Sequence, residues 1–234
     1  MNTALLNSVL RPEFKADQVD PNIWSVLPAA EREAPYDRMA RAYDWLIGNS
    51  LYNKLVWGNW SKLYRDTASD AVRSAPEEGP ILDCGCGSLI FTSAVYAPNH
   101  LERMILFDRS LGMMRRGSNR VRNATFVQGD ALALPFVDAS FGLTLSWGLA
   151  HIFGSASGLF AELRRVTKPG SKVIVSMLVL ADRSPGDSVL AQLHKRGEIA
   201  LPERMDQVRT AFAEHFAIET DVLKGNMAFL TGRV

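Results

Sequence analysis

The sequence feature that most constrains the fold is a short apolar run that leads directly into two glycines. Residues 81–89 read ILDCGCGSL, so a candidate strand of four residues meets a Gly-x-Gly turn. Neither glycine carries a Cβ, and the backbone can therefore turn sharply and approach a ligand. Ile90 occupies the position that would complete Gly-x-Gly-x-x-Gly, which argues against a dinucleotide fingerprint. The run predicts a strand followed by a ligand-binding loop.

Short apolar runs alternate with helical spacing from residue 80 onward. Strands that are apolar throughout are typical of a parallel sheet covered on both faces. Residues 216–223 and 227–234 flank a turn whose composition suits an antiparallel hairpin. We therefore predict a doubly wound α/β fold with a mostly parallel sheet, with strands at 81–84, 103–107, 125–128, 141–146 and 172–180 and helices at 91–96, 111–116 and 156–166.

The first third of the chain follows a different pattern. Apolar and aromatic residues spaced by three or four predict helices over residues 35–46 and 51–72, with no strand between them. A segment with two acidic residues and a proline ends this region. The sequence thus predicts an N-terminal helical segment, 1–75, followed by a sheet-containing domain, 76–234.

Acidic residues follow the predicted strands. Asp83 lies two residues before the first glycine, Asp108 ends the next strand, and Asp130 follows the third. Ligands of open parallel sheets bind beyond these strand ends, where a carboxylate can accept two hydrogen bonds from a ribose diol. The pattern predicts a nucleoside with hydroxyls and an amino group, because phosphates would call for cations. Asp83 as a loop organiser and Asp108 as a helix N-cap stay open as alternatives.

Composition excludes several classes of partner. Lys and Arg total 26 against 25 Asp and Glu, and the net charge of +1 gives no support to nucleic acid or an anionic membrane as partner. The longest apolar stretch, 173–181, is far shorter than the roughly 20 residues that span a bilayer. With no secretory signal at the N-terminus, we expect a cytoplasmic protein without a membrane span. Cys84 and Cys86 are too close for a disulfide and too few for zinc, so we predict buried thiols and no metal.

Taken together, these motifs resemble, in order and spacing, those of class I S-adenosylmethionine-dependent methyltransferases. The resemblance is closest to the branch of ubiquinone/menaquinone-biosynthesis and small-molecule methyltransferases. It implies S-adenosylmethionine as cofactor and a seven-stranded sheet of order 3-2-1-4-5-7-6, with strand 7 antiparallel and helices on both faces. The motifs that carry it span about residues 35–180 and are Asp83-x-Gly85-x-Gly87, Asp108, Gly129-Asp130-Ala131 with Leu134-Pro135-Phe136, and Leu163-Arg164-Arg165-Val166-x-Lys168-Pro169-Gly170.

The resemblance also implies a role for each matching residue. Gly85 and Gly87 would face the methionine moiety, and Asp83 would lie near its amino group or support the loop. Many members have a third glycine where this chain has Leu89, so we expect a bulkier residue at the mouth of the loop and a weakened or shifted cofactor. The other implied contacts are Asp108 to the ribose, Asp130 and Ala131 to the adenine, and further cofactor contacts from Cys86, Arg109, Met113, Gly129 and Ser146.

The N-terminal segment 36–44 resembles the lid helix of these enzymes. Its two tyrosines, Tyr36 and Tyr43, would place aromatic rings next to the sulfonium, Tyr36 at the methyl-transfer site and Tyr43 against the cofactor. His151, in the loop after the fourth predicted strand, is the candidate general base. A histidine that packs the loop or hydrogen-bonds to backbone is the alternative. A further aromatic cluster fits core packing or substrate contact: Trp57, Trp60 and Tyr64.

The predicted function is methyl transfer by in-line displacement to a small acceptor, apolar or resembling a natural product. The enzyme is expected as a monomer or homodimer. The alternative is a methyltransferase-fold protein that holds the cofactor without methylating, as a regulator, a partner subunit or a rearrangement catalyst. An NAD-dependent oxidoreductase is disfavoured by Ile90 and Asp130. The sequence motifs leave open whether an O, N, C or S atom of the acceptor receives the methyl group.

Overall fold

The sheet organises the whole chain. The computed structural model describes residues 3–33, 37 and 40–234, with the backbone alone for residues 40–43. The strand order across the sheet is β1-β2-β5-β4-β3-β6-β7-β9-β8. The nine strands of the described residues are β1 Asp17–Asp20, β2 Ile23–Ser25, β3 Ile81–Cys84, β4 Met104–Asp108, β5 Thr125–Gln128, β6 Phe141–Trp147, β7 Thr167–Leu178, β8 Ala217–Lys224 and β9 Met227–Arg233.

Strands β3 to β9 confirm the predicted topology. Counted from β3, their order is 3-2-1-4-5-7-6. Strands β3 to β7 pair in parallel, whereas β9 is antiparallel to both β7 and β8. The C-terminal hairpin therefore closes one edge of the sheet, as the turn residues after β8 predict.

The other edge differs from the prediction of seven strands. Strands β1 and β2 form a hairpin, and β2 pairs in parallel with β5, with Ile23 opposite Phe126. The N-terminal segment, predicted to be helical, thus contributes two strands to the sheet, although no strand lies between the two predicted helices at 35–46 and 51–72. Asp17–Asp20 reads DQVD, which lacks the apolar and β-branched residues of a typical strand, and β2 is only three residues long. Pairing with the buried strand β5 stabilises them, which local sequence does not reveal.

The helices cover both faces of the sheet. One long helix predicted over 51–72 is in fact two, because the first ends at Gly58, whose φ of +74° lies in the left-handed region. The described helices are α1 Thr3–Val9, α2 Ala40–Gly48, α3 Ser50–Trp57, α4 Ser61–Arg73, α5 Ser93–Tyr96, α6 Leu111–Arg120, α7 Ala156–Val166, α8 Pro185–Lys195 and α9 Met205–Ala213.

Alternate side chains of the central strands feed two apolar layers. On one face Leu82 and Phe107 pack with Phe160 of α7 and Phe212 of α9. On the other, a second cluster includes Ile81, Leu106, Tyr96 of α5 and Met114 of α6. Both layers have fully buried members, so the sheet is the middle of a three-layer sandwich.

The parallel register brings the polar strand ends to one edge. Asp83 is paired with Leu106, and Asp108 with Gln128. The C-terminal ends of β3, β4 and β5 therefore lie side by side, as the position of a ligand site in an open parallel sheet requires.

Two further sequence expectations concern the chain as a whole. Within the ranges described, no helix combines the length and apolar character needed to cross a bilayer. The division into segments 1–75 and 76–234 stays a prediction, and β1 and β2 of the first segment join the sheet of the second.

Candidate functional site

The loop after β3 is built from left-handed glycines. Gly85 and Gly87 have φ values of +84° and +53°. The Gly85 and Cys86 amides donate to the Phe107 carbonyl at 2.8 and 3.0 Å, which fastens the loop to the end of β4. A Cβ on Gly85 would lie 2.8 Å from Leu149 Cδ2, so this position has room for glycine only.

Asp108 holds the loop from its other side. Its Oδ2 accepts from the Gly87 amide at 2.8 Å, and its Oδ1 accepts from the Ser110 amide at 2.8 Å. The N-cap of α6 is Ser110, whose hydroxyl accepts from the Met113 amide at 3.1 Å, so the N-cap alternative for Asp108 is excluded. The carboxylate is half-buried. Burial raises its pKa and the nearby Asp37 carboxylate adds to this, although three backbone amides lower it.

Asp83 is the one acid on the buried face of β3. It is fully inaccessible, and its Oδ2 accepts from the Tyr96 hydroxyl at 3.0 Å, which in turn accepts from Trp147 Nε1 at 2.8 Å. Its Oδ1 has no partner among the described residues. Burial raises the pKa of Asp83 to about 7, and the Tyr96 hydrogen bond only partly opposes this. An orphaned carboxylate oxygen of this kind suits an ammonium group.

The backbone amides of the loop limit the class of ligand that it can bind. The Gly85, Cys86 and Gly87 amides all donate to protein oxygens, so they do not form the open nest that a pyrophosphate needs. The polar groups that point to a ligand are instead carboxylates, one orphaned and one with raised pKa. S-adenosylmethionine fits this set, because it carries an ammonium and a ribose diol and no phosphate.

The end of β5 forms the next part of the edge. The Gly129 amide donates to the Asp108 carbonyl at 3.2 Å, and a Cβ there would lie 2.7 Å from the Phe107 ring. Asp130 is exposed, and its Oδ1 accepts from the Leu132 amide at 2.9 Å, while Ala131 is buried. These residues follow Asp108 directly across the edge, and Asp130 keeps its second oxygen toward solvent.

The remaining predicted contacts lie around the loop. Cys86 and Met113 are buried, and the Met113 methyl lies 3.7 Å from the Cβ position of Gly87. Burial raises the pKa of both Cys84 and Cys86 thiols, in accordance with two buried, unreactive cysteines. Two other candidates differ: Ser146 is buried with an unpartnered hydroxyl, and Arg109 is exposed, with its carbonyl accepting from Gln128 Nε2 at 3.0 Å.

Leu89 does not lie where the sequence suggests. Its φ of +58° is the left-handed conformation that the glycine of related sequences adopts without strain. Its side chain is only 2% exposed and packs in the apolar layer with Tyr96 and Leu111. The expectation of a bulky residue at the mouth of the loop is therefore wrong, because burial in the core retains leucine in a strained backbone position.

His151 lies in a one-turn 3₁₀ helix after β6. The Leu178 amide donates to its Nδ1 at 3.4 Å, and the ring is partly exposed. Burial lowers the pKa of His151 to about 4, so the ring is neutral near pH 7 and, with Nδ1 accepting, carries its proton on Nε2. The Ala200 amide donates to the His151 carbonyl at 3.3 Å, and the next residue in each of these two segments, Leu201 and Ile152, is 71% and 47% exposed. Two exposed apolar side chains therefore follow the two residues that this hydrogen bond joins.

The N-terminal segment contributes acids that the sequence analysis missed. Tyr36 lies outside the described residues, as does the side chain of Tyr43. Asp37 accepts from the Ser110 hydroxyl and from the Gly112 amide at 3.0 Å, and Asp44 accepts from the Ser88 hydroxyl. Each of these acids follows one of the two tyrosines. The repeated Tyr-Asp pair was therefore the available signal, although nothing in the sequence shows its partners.

The aromatic cluster of the N-terminal helices is divided. Trp57 and Tyr64 are buried in one apolar cluster, and Tyr64 stacks on Phe91 with ring centroids 4.8 Å apart. Trp60 is 51% exposed, with Lys54 Nζ 5.9 Å from its ring centroid. Core packing is therefore confirmed for two of the three aromatic residues.

Comparisons with known proteins agree with this geometry. A family model described as a methyltransferase domain matches residues 82–175. A curated demethylmenaquinone methyltransferase from Renibacterium salmoninarum is 32% identical over 78% of this chain and 73% of its own length. In further curated proteins of the same name the match spans 55% to 63% of the relative.

Solved structures share the fold at low sequence identity. A geranyl diphosphate C-methyltransferase from Streptomyces coelicolor, solved with S-adenosyl-L-homocysteine, superimposes with a TM-score of 0.62 at 17% identity, over 88% of this chain and 99% of the other. The [4+2]-cyclase SpnF gives a TM-score of 0.66 at 16% identity, over 85% and 93%. Since a methyltransferase and a cyclase share this fold, the fold alone does not decide the reaction.

Proposed function

We propose that this chain, which belongs to the class I S-adenosylmethionine-dependent methyltransferases, methylates a ring carbon of an apolar hydroquinone. Methyl transfer from S-adenosylmethionine to a small molecule follows from the family. The acceptor class is our proposal. It is supported by the demethylmenaquinone methyltransferase relative and by the exposed apolar side chains of Ile152 and Leu201 near His151.

On the cofactor side, the proposal assigns each group a partner. The loop around Gly85, Cys86 and Gly87 would enclose the methionine moiety, with the orphaned Asp83 Oδ1 toward its ammonium. Asp108 would accept from the ribose hydroxyls. The adenine would lie against Gly129, Asp130 and Ala131, and the residues that complete the enclosure would be Tyr43, Arg109, Met113 and Ser146.

The observation that carries the acceptor proposal is the setting of His151. Its Nδ1 accepts from the Leu178 amide, which leaves Nε2–H as the donor, and Ile152 and Leu201, next to the hydrogen-bonded pair His151 and Ala200, are exposed apolar side chains. Such an arrangement can receive an apolar ring and hydrogen-bond to one ring oxygen. Tyr36, outside the described residues, stays a predicted member of this site.

Methyl transfer requires little general acid–base catalysis by the protein. S-adenosylmethionine supplies an activated methyl group, so holding the acceptor carbon in line with it is the main task. A hydroquinone has nucleophilic ring carbons, made more so as its O–H loses a proton to water. As the ring carbon takes the methyl group, S-adenosylhomocysteine is the leaving group, and the hydrogen of that ring carbon then leaves as a proton to water, which restores the aromatic ring. His151 would fix the ring oxygen through Nε2–H, whereas a role as general base is disfavoured by its low pKa and occupied Nδ1.

The proposal is tested by release of S-adenosylhomocysteine with a matched set of acceptors. We expect turnover with a reduced short-chain naphthoquinone and none with its oxidised form, since the quinone ring is electrophilic. A primary aromatic amine of similar size is the control for another acceptor atom. Turnover of the amine but not the hydroquinone would refute the acceptor class, and cofactor binding without turnover of any acceptor would favour the non-methylating alternative.

Three further expectations accompany this function. A cytoplasmic location and a monomeric or homodimeric state stay predictions, as does the absence of a nucleic-acid partner. The near-neutral charge of +1 supports the last of these, and gel filtration with light scattering would decide the oligomeric state.

A further inference from the structure

A buried carboxylate of α2 contacts the cofactor loop without belonging to it. The Asp44 side chain is only 3% exposed. Its Oδ2 accepts from Arg116 Nε at 2.6 Å and from Arg120 Nη2 at 2.9 Å. Its Oδ1 accepts from the hydroxyl of Ser88, which lies between Gly87 and Leu89. We call these four residues, Asp44, Ser88, Arg116 and Arg120, the Asp44 cluster.

The cluster joins three elements of the chain. Arg116 and Arg120 are one helical turn apart on α6, so both reach the same side of that helix. Arg120 Nη1 also donates to the Ser88 carbonyl. Ser88 is therefore held by its side chain and by its backbone at once, and α2, α6 and the loop meet at a single residue.

The electrostatic balance maintains the cluster. Burial raises the pKa of Asp44, but hydrogen bonds from Ser88, Arg120 and Arg116 outweigh it, and the net pKa lies below the ordinary value. The group is a carboxylate with charge-assisted hydrogen bonds. Withdrawal of α2 would leave two partly buried cations unpaired, with exposures of 33% and 26%, and would free the Ser88 hydroxyl.

Two carboxylates from different elements, Asp108 and Asp44, thus hold the loop by hydrogen bonds. Asp108 fixes the Gly87 amide at 2.8 Å, and the next residue is fixed by Asp44. The residue after that, Leu89, has a strained φ of +58°, which persists only where the surroundings impose it. Ser88, which the Asp44 cluster holds, lies between Gly87, fixed by Asp108, and Leu89, the residue with the strained backbone.

We propose that Asp44 is a positioning residue, which acts through Ser88 to hold the Gly85–Leu89 loop in the shape that binds the cofactor. Cofactor affinity then depends on a helix that lies outside the sheet and outside the residues matched by the methyltransferase domain. The inference rests on the proposed function for its cofactor alone, and not for the acceptor.

The test is a double-mutant cycle in the affinity for S-adenosylhomocysteine, measured by calorimetry on the full chain. Asp44→Asn keeps the shape of the side chain and removes its charge, and it should weaken binding by about 10- to 100-fold. Ser88→Ala removes one hydroxyl and leaves the ion pairs, and it should weaken binding by about 5-fold. Asp44→Asn keeps an oxygen that can accept from Ser88, but its amide nitrogen faces Arg116 and Arg120, so the side chain loses the two ion pairs that hold it against Ser88. Both changes therefore release Ser88, and the double variant should bind like Asp44→Asn.

A matched control and a second readout separate positioning from general stability. Asp66→Asn breaks the exposed Lys62–Asp66 pair, 2.6 Å long, and should leave affinity unchanged. In Asp44→Asn, amide exchange of residues 85–89 should rise, and the cofactor should no longer protect residues 40–48. If Asp44→Asn does not fold, Ser88→Ala carries the test by the same two measurements.

The outcomes distinguish the two proposals. Multiplicative losses in the cycle, or wild-type affinity in both single variants, would overturn the positioning role while leaving the methyltransferase function intact. A wild-type protein that does not bind S-adenosylhomocysteine would contradict the cofactor itself. A failure of the acceptor set alone would leave the role of Asp44 unaffected.

Discussion

The two sides of the candidate site are built with different rigidity. On the cofactor side, three consecutive loop amides, those of residues 85–87, have protein acceptors within 3.0 Å. On the proposed acceptor side, hydrogen bonds of 3.4 and 3.3 Å join His151 to the Leu178 and Ala200 amides, and Ile152 and Leu201 next to these residues are exposed. Short hydrogen bonds thus fix the loop backbone on the first side, whereas the second side combines longer hydrogen bonds with exposed apolar side chains.

This difference follows from what each side must bind. A cofactor of constant shape binds more tightly to a loop whose backbone is already fixed by glycines and by hydrogen-bonded amides, since preorganisation reduces the entropic cost of binding. An apolar acceptor is bound mostly by contact area, which many side chains supply. We therefore expect substitutions on the cofactor side to have large effects and those on the acceptor side to have smaller ones.

The largest effect is expected at Asp108. Asp108→Ala removes the acceptor of the Gly87 and Ser110 amides as well as the proposed ribose contact. Affinity for S-adenosylhomocysteine should fall by about 100-fold or more, the loss of two charge-assisted hydrogen bonds, as measured by calorimetry. Asp130→Ala is the control, because that exposed side chain holds one amide only, and it should cost less than about 10-fold. Equal losses in the two variants would contradict the assignment.

The same side of the molecule was also the more predictable from sequence. Apolar runs and the Gly-x-Gly turn depend on neighbouring residues, so the position of the loop followed from local pattern, whereas the order of β3 to β9 followed only from the resemblance to class I methyltransferases. The partners of Asp44 are 44, 72 and 76 residues away, and no spacing rule reaches that far. The Asp17–Asp20 strand was missed because pairing with its neighbours, and not its own composition, stabilises it.

Two details of the site could likewise not be predicted from neighbouring residues in the sequence. That Leu89 turns into the core depends on the packing of α5 and α6 around it. That His151 has an occupied Nδ1 depends on an amide of β7 that lies 27 residues further along the chain. The third glycine of related sequences suggested a bulky residue at the loop mouth, and the packing corrects this. For His151 the general base and the histidine that hydrogen-bonds to backbone were both open, and the occupied Nδ1 favours the second.

A second substitution tests the contact between the two sides. Gly85→Ala would place a Cβ 2.8 Å from Leu149 Cδ2 at a φ of +84°. Strain and overpacking together should lower the free energy of unfolding by about 3 kcal/mol, measured by urea denaturation. Gly148→Ala is the matched control, because its φ is +65° and no atom lies within 4 Å of the new Cβ, so only about 1 kcal/mol is expected. Leu149→Ala should cost less in the Gly85→Ala background than in the wild type, because it removes the Cδ2 and Cγ contacts and leaves only the Leu149 Cβ, 2.9 Å away. An equal cost in both backgrounds would contradict the overpacking by Cδ2 and Cγ.

A smaller effect is expected from the charge of Asp83. Its pKa is about 7 in the folded chain against an ordinary 3.8, so the folded state binds one more proton between these values. Its contribution to stability is complete below about pH 4 and is lost as pH rises through about 7. Asp83→Asn stays neutral and should gain roughly 5 °C in melting temperature over the wild type between pH 4 and 8, both without cofactor.

The cofactor should reverse that advantage. An ammonium beside Asp83 Oδ1 stabilises the carboxylate, so the asparagine variant should bind S-adenosylhomocysteine more weakly than the wild type at pH 8. Calorimetry in buffers of different ionisation enthalpy should show release of a proton from the wild type near pH 6 and none from the variant. A melting difference that is constant with pH would contradict the raised pKa.

The smallest effect is expected on the acceptor side, where two substitutions of His151 separate its possible roles. His151→Asn retains an acceptor for the Leu178 amide and loses the Nε2 donor, whereas His151→Gln retains a donor near the Nε2 position. If His151 orients the acceptor, kcat/KM should fall by about 10-fold in the first variant and by less in the second. Loss of a general base would cost about 100-fold or more in both, since neither amide takes up a proton.

The pH profile adds an independent criterion. Because the His151 pKa is about 4, the ring is neutral from about pH 5 upward, and this residue should produce no acidic limb in the wild-type rate above that pH. An acidic limb near pH 6 to 7 that disappears in both variants would show that His151 acts as a general base. The acceptor side would then contain a residue whose loss has a large effect on the rate. A flat profile with the Asn–Gln difference intact would mean that the acceptor side supplies orientation, and that the activation of the methyl group is left to the cofactor.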